Sequence, residues 1–236
     1  MPRAALWKAI ADSLLAEISQ GHYRPGDRLP TEAQLAARFG VNRHTVRHAL
    51  ASLTETGLLH ARRGAGVFVA SEPQAYPIGR RVRFHQNVAA SGRTPSRQIL
   101  RLETRACDKR EAEALRLTMG TPVHVMEGLS LADGMALAVF RSVFPAEPLP
   151  NLLAELNRSG SVTVALAACG VADYTRASTR LTAVVARATL ALQLRLSEGA
   201  PILRSVAINH DAVGRPIEYG TTWFAGDRVE LTVTPE

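Results

Sequence analysis

Residues 42–53 read NRHTVRHALASL, and the spacing within them decides how the first part of the chain folds. Val46, Ala49, Leu50 and Leu53 fall at i, i+3, i+4 and i+7, one apolar stripe of a helix. Arg43, His44, Arg47 and His48 fall at i, i+1, i+4 and i+5, on a different side. The apolar back can pack on neighbouring helices while the basic front enters a DNA major groove. Arginine donates two hydrogen bonds to guanine O6 and N7, and each such pair discriminates by about 1–3 kcal/mol. Asn42 and Thr45, at the helix start, are placed for phosphate oxygens or base edges. A solvated face of an ordinary surface helix carries the same pattern, so the neighbours have to decide.

Upstream, Leu6, Ile10, Leu14 and Ile18 keep helical spacing, and Gly21 closes the run. YRPGDRLP then breaks the chain into a turn. Thr31 with Gln34 has the form of a capping box, predicting a short second helix that stops at Gly40. Asn42 caps the third, which runs to about Thr56. Downstream, LLHA and GVFVA read as strands joined by the tip RRGA. A short helix, a tight turn, a basic helix and a hairpin are the order of a winged helix-turn-helix. Arg62, Arg63 and Gly64 at the tip would lie along the phosphate backbone or in a minor groove. Gly64 and Gly66 do not make a nucleotide loop, because a third glycine and a following helix are missing.

The whole stretch PGDRLPTEAQLAARFGVNRHTVRHALASLTETGLLHARRGAGVFV resembles, without gaps, the DNA-binding domain of the GntR family of bacterial transcription regulators. The PGDRLPTE turn, GVNRHTVR and RRGAGVFV stand in that family's order and spacing. The resemblance implies base and phosphate contacts from Arg43, His44, Thr45, Arg47, Arg63 and Gly64. Family members often carry arginine where this chain has Ala33, which implies that one contact from the second helix is absent.

The 236 residues carry 28 Lys+Arg against 21 Asp+Glu, a net charge of +7 that suits an anionic partner. Residues 1–70 hold 9 Lys+Arg and 5 Asp+Glu, so the first part is the more basic per residue. Only Lys8 and Lys109 are lysines, and arginine suits planar contacts to phosphate. Cys107 and Cys169 belong to no metal-ligand spacing, which predicts a reduced, cytoplasmic chain without a metal or cofactor. Lys8 and Asp12 interrupt any signal-peptide pattern, and no apolar run suits a bilayer.

After Ala70 the pattern changes. SEPQAYPIG, residues 71–79, reads as a linker, giving a DNA-binding domain at 1–70 and an effector and dimerisation domain at 80–236. Strand candidates TPVHVMEGLSL, ALAVFRSVF, PILRSVAINH and PIEYGTTWF alternate with helical patterns near 108–117, 150–157, 161–168 and 184–195. Turn signals stand at Asp133-Gly134 and Val213-Gly214. This predicts a two-domain α+β chain whose second domain is built on a largely antiparallel sheet. No internal repeat stands out.

LADGMALAVFRSVFP, GSVTVAL and RPIEYGTTWFAGDRVELTV appear in the order of the ligand-sensing (UTRA) domain of the HutC-like GntR subfamily, which shares the chorismate lyase fold. YPIGRRVRFHQNV together with NRHT looks most like the regulators of phosphonate-utilisation operons. Relatives that bind phosphorylated amino sugars carry two arginines where this chain has Gly128 and Ser130, and a carboxylate where it has Phe140.

Candidate effector residues follow from chemistry. Ser161 and Thr163 open a helix whose first N–H groups favour an anion, and Arg180 can close on it. Glu218 can take an amine, and Trp223 can wall a pocket. In RRVRFHQNV, Arg80 and Arg81 read as linker charges, whereas Arg83, Phe84 and Asn87 are candidate pocket residues. Each has a plainer alternative: Ser161 as a cap, Trp223 in a core, Arg180 in solvent. The expected function is a dimeric repressor that binds double-stranded operator DNA as a homodimer. A small anion, whether a phosphonate, phosphate or phosphorylated metabolite, would release it. Sensing of a sugar phosphate or a histidine-pathway acid is one alternative, and a lyase-fold enzyme is another. No Ser/His/Asp or Cys/His set, metal cluster or carboxylate pair supports the enzyme.

Overall fold

The computed structural model describes residues 3–62, 64, 66–70, 73–81 and 83–233. They fall into two compact units, residues 1–72 and 73–236. In the first, α1 (Arg3–Ser19), α2 (Glu32–Phe39) and α3 (Arg43–Glu55) share a core to which α3 contributes Val46, Ala49, Leu50 and Leu53. These are the stripe positions. Leu14 of α1 and Leu35 of α2 are fully enclosed there, each contributing about 2 kcal/mol by burial. The capping box forms: Gln34 N–H donates to the Thr31 hydroxyl at 3.3 Å, and Thr31 N–H donates to Gln34 Oε1 at 2.8 Å. Strands β1 (Leu59–Arg62) and β2 (Gly66–Val69) pair antiparallel, with Leu59 opposite Val69 and Arg62 opposite Gly66. Gly66 has φ 112, and a Cβ there would stand 2.8 Å from Arg28 Nε. Both the backbone and the passing arginine therefore favour glycine.

The second unit begins with β3 (Gln74–Pro77) and α4 (Phe84–Ala90). Then come β4 (Pro95–Ala106), α5 (Lys109–Leu115), β5 (Pro122–Ala132) and β6 (Met135–Pro145). Next are α6 (Leu152–Ser159), α7 (Val162–Ala168), β7 (Tyr174–Val185) and α8 (Ala188–Leu194). The chain closes with β8 (Pro201–Asp211), β9 (Pro216–Ala225) and β10 (Val229–Thr232). Six strands form one antiparallel sheet in the order β4-β5-β6-β9-β8-β7. Asp133 and Gly134 turn β5 into β6 with φ 49 and 76, two successive left-handed residues as a tight hairpin requires.

Two expectations need correction. Residues 74–77 are not linker: they pair in parallel with β10, Gln74 beside Val229 and Pro77 beside Thr232. Two prolines masked this strand, but it lies outside the large sheet and pairs with β10 alone, where proline is tolerated. The second correction is that the sensor is internally duplicated. β4-α5-β5-β6 and β7-α8-β8-β9 have the same order, and the halves meet at β6 and β9. Leu115-Arg116-Leu117, Gly120 and Pro122 recur as Leu194-Arg195-Leu196, Gly199 and Pro201. Arg116 and Arg195 both turn left-handed, with φ 56 and 53. Leu117 N–H bonds the Ala112 carbonyl as Leu196 N–H bonds that of Ala191. The sequence signal is a few residues around one loop, too short to stand out unaided.

Strand alternation gives the sheet two faces. On one, α8 packs Ala191 and Leu194 beside Val139, Ile202 and Trp223, and α5 packs Leu115 beside Val125, Val143 and Tyr219. On the other, α6 and α7 bury Leu152, Leu156 and Leu166 against Met126, Phe140 and Phe144, while α4 places Phe84 and Val88 with Phe224. The even-numbered residues of β5, and those of β6 from Ala138 onward, thus face α4, α6 and α7. No helix among the described residues is long and apolar enough to cross a membrane.

Candidate functional site

The face expected to read DNA stands on α3. Arg43, His44 and Arg47 are exposed. Asn42 Oδ1 accepts both the N–H and the hydroxyl of Thr45, each at 2.9 Å, so the two residues serve first as the helix cap. Arg47 makes a fork onto Glu32, Nε to Oε1 at 3.0 Å and Nη2 to Oε2 at 2.7 Å. The hydrogen bond from Arg47 is the main reason the Glu32 carboxyl sits below its ordinary range. His48 stacks on Trp7 with ring centroids 4.3 Å apart, which turns it toward α1. Gly64 is exposed with φ 75. Arg63 and the Arg62 side chain lie outside the described residues.

The second unit holds a cavity of about 280 Å³ on the α4/α6/α7 face of the sheet. Its floor crosses all six strands. Arg97 comes from β4, Ser130 from β5, Phe140 and Ser142 from β6, Glu218 and Thr222 from β9, Ser205 and Asn209 from β8, and Arg176 from β7. Arg83, Phe84, Ser161 and Thr163 close the wall. Ser161 caps α7 by accepting the Val164 N–H at 3.4 Å, and Thr163 Oγ1 lies 2.9 Å from the Tyr174 hydroxyl. Arg83 donates to the Tyr174 carbonyl at 2.8 Å and lies 3.5 Å over that residue's ring. Glu218 is buried, accepting from Ser142 Oγ and Asn209 Nδ2, both at 2.6 Å.

Three sequence candidates fall outside this lining. Asn87 donates to the Pro77 carbonyl at 3.1 Å, fastening α4 to β3. Trp223 lies between Thr222 and Phe224 on its strand, so alternation sends it to the α8 face. Arg180 is exposed on the edge strand, opposite Val206. A bulge between Arg176 and Ser178 reverses the parity of β7, so Arg176 and Thr179 share the cavity face and Arg180 does not. Arg81 pairs with Asp173 and the Arg80 carbonyl accepts the Arg176 N–H at 2.8 Å, so both belong to the sensor, not to a linker.

Sequence reasoning missed Arg97 and Arg176. They are equivalent in the duplicated halves: Arg97 lies opposite Ser130, and Arg176 opposite Asn209. Arg176 Nε donates to Asn209 Oδ1 at 2.8 Å. Serine is too short to do the same, and Arg97 Nε and Nη1 are enclosed without a hydrogen-bond partner. Phe140 lies 4.6 Å and Phe84 5.4 Å from the Arg97 guanidinium carbon. Burial pushes both guanidiniums below their ordinary value, partly countered by Glu218 and nearby tyrosines. Recognising the duplication would have led from one arginine to the other.

A winged helix-turn-helix joined to a separate, cavity-bearing α+β domain is the architecture of a DNA-binding regulator with a second domain. Residues 6–69 match the gntR family of bacterial regulatory proteins, and residues 90–230 match the UTRA domain. The chain belongs to the gntR family, in its HutC-like branch. It is 41% identical to the uncharacterized HTH-type transcriptional regulator RB1450 of Rhizobium meliloti, over 97% of this chain and 94% of that one. It is 35% identical to the probable transcriptional regulator PhnF of Escherichia coli, over 96% and 94%. The crystal structure of PhnF from Mycobacterium smegmatis has the same fold, with a TM-score of 0.65 at 24% identity, covering 100% of this chain and 99% of that one. The chain is therefore a transcriptional regulator whose helix-turn-helix is of the operator-binding kind.

Proposed function

We propose that the protein is a dimeric repressor of a catabolic operon for phosphonate use, released from a palindromic operator by a small anionic effector. The observation that carries the effector half is the half-buried Arg97, whose enclosed Nε and Nη1 have no hydrogen-bond partner, in a cavity of small-molecule size. An unpaired buried cation is costly, and an anion from solution removes the cost. Arg83, Phe84, Ser161, Thr163 and Glu218 line the same cavity and complete the proposed site. Similarity to PhnF of Escherichia coli supports a phosphonate or phosphate compound as effector.

Arg43, His44 and Arg47 read base edges, while Asn42, Thr45, Arg62, Arg63 and Gly64 hold the backbone. The segment that leaves the reading head also supplies Tyr76, Ile78, Arg83 and Phe84 to the cavity wall. Ligand and head are thus linked through one short stretch of chain. Effector binding then favours a dimer whose two heads do not match the half-site spacing, a shift of population between two arrangements. The test is fluorescence anisotropy on a duplex selected from random sequence by the wild-type protein, titrated with phosphate and phosphonates. Release by an anion of this class is expected; indifference to all of them would remove the effector half of the proposal.

A further inference from the structure

Arg97 and Glu218 pose the same problem with opposite sign. Arg97 is a cation whose Nε and Nη1 meet no acceptor. Glu218 is a carboxylate held only by the neutral donors Ser142 and Asn209. Both line one cavity, yet among the described residues neither is in an ion pair with the other or with a third group. The fold keeps them apart: Arg97 is on edge strand β4 and Glu218 is on β9, three strands along the sheet.

The surroundings of Arg97 also restrict what it accepts. Phe140 and Phe84 pack close to the guanidinium, leaving in-plane hydrogen bonding at its edge as the main polar approach. Gly128 makes the packing possible, because a Cβ there would meet Gln98 O at 2.4 Å and the Phe140 ring at 3.0 Å. The equivalent arginine of the other half, Arg176, is already engaged by Asn209 and Thr179. Of this duplicated pair, only Arg97 is left with enclosed N–H groups for a ligand.

The geometry points to a zwitterionic effector that bridges the two: an anionic head with two in-plane acceptors on Arg97, and an ammonium group on Glu218. An aminoalkylphosphonate has this form, whereas inorganic phosphate and simple alkylphosphonates satisfy one pole only. This inference rests on the proposed effector role of the cavity and narrows it to a charge pattern.

The probes are 2-aminoethylphosphonate, ethylphosphonate and inorganic phosphate, measured by calorimetry and operator release on the full-length wild type, Arg97→Met and Glu218→Gln. The zwitterion is expected to bind wild type about tenfold or more tightly than ethylphosphonate. Glu218→Gln should close that gap, and Arg97→Met should weaken the zwitterion about 30-fold or more. Equal or tighter binding of ethylphosphonate, or a gap that survives Glu218→Gln, overturns the inference while leaving an anionic effector in place. If none of the three binds or alters operator affinity, the inference and the effector reading fall together. A ligand-free arm guards against a merely structural Arg97. Methionine of similar length removes an unsatisfied charge, so Arg97→Met without ligand should melt at or above the wild-type temperature. A markedly lower melting temperature would assign Arg97 to the scaffold and overturn the inference.

Discussion

Arg47 and Arg97 are the same residue type put to opposite use. Arg47 stands on an exposed helix face, its Nε and Nη2 already forked onto Glu32, and in the proposed role it meets DNA from water. Arg97 is enclosed beside two phenylalanines with no acceptor for Nε or Nη1. A surface arginine costs the fold little, so the reading head can display several of them. A buried, unpartnered arginine lowers stability, and such residues persist where a ligand completes them. In this chain charge is outward where the proposed partner is a polymer and inward where it is a small molecule.

The sharpest way to break the first half of that comparison is to remove the reading arginines. Arg43→Ala combined with Arg47→Ala should weaken binding to the selected duplex by about 1000-fold, since each base contact is worth about 1–3 kcal/mol. Binding to unrelated DNA should fall far less, and wild-type affinity should drop steeply with salt. Anisotropy titrations at two salt concentrations read both. Unchanged affinity in the double variant would remove α3 as the reading element.

The second prediction contrasts two buried charges within the sensor. Glu111 has a side chain only 1% exposed, yet it is fully served: Arg105 donates to it at 2.7 and 2.8 Å, and Arg141 at 2.6 Å. Glu111→Gln should therefore cost about 3 kcal/mol in urea unfolding, the reverse of the effect expected for Arg97→Met. The pH dependence follows from the same carboxyl. Burial raises its pKa, but the Arg105 hydrogen bonds, the Asp108 N–H and the nearby Arg141 charge outweigh burial, and the net direction is down from 4.5. A depressed folded value means that the contribution is present above about pH 4.5 and is lost as pH falls through the lower folded value. Acid unfolding of wild type should be steeper than that of Glu111→Gln.

Gly128→Ala comes next. The added methyl meets backbone at 2.4 Å and the Phe140 ring at 3.0 Å, so a loss of about 1–3 kcal/mol is expected, read by urea unfolding. The smallest effects should come from Arg180→Ala and Trp223→Phe. Arg180 is exposed on the edge strand and Trp223 packs on the far face of the sheet, so stabilisation by effector should match wild type in thermal shift.

These last two residues also show where the sequence stopped being readable. In the head, a 3.6-residue period runs unbroken through α3, so residue numbers alone assign Val46, Ala49, Leu50 and Leu53 to the core and Arg43 and Arg47 to the front. Caps at Thr31 and Asn42 added boundaries, because a helix start needs a side-chain acceptor at a fixed offset. The existence of the sheet was equally plain, since long apolar strands and the Asp133-Gly134 turn leave few alternatives. Which strand residue faces the cavity was not. Each bulge inverts the parity of everything after it, and the pairing skips Leu100 on β4, Leu137 on β6, Ala177 on β7 and Ile217 on β9. Arg180 was a fair choice on chemistry, and a single inserted residue gave its place to Arg176. Glu218, Arg83 and Phe84 line the cavity because each is polar or aromatic at a point the wall needs. Arg97 carries no motif, and it is its place in the cavity lining that singles it out.

In the proposed function, occupancy of the Arg97 cavity governs operator binding by the α3 face. The most direct measurement is operator affinity of the full-length protein against 2-aminoethylphosphonate concentration, for wild type and Arg97→Met side by side. The prediction is a progressive loss of operator binding in wild type and a response displaced about 30-fold or more to higher ligand in Arg97→Met. Operator affinity that stays constant in wild type while calorimetry shows the ligand bound would contradict it.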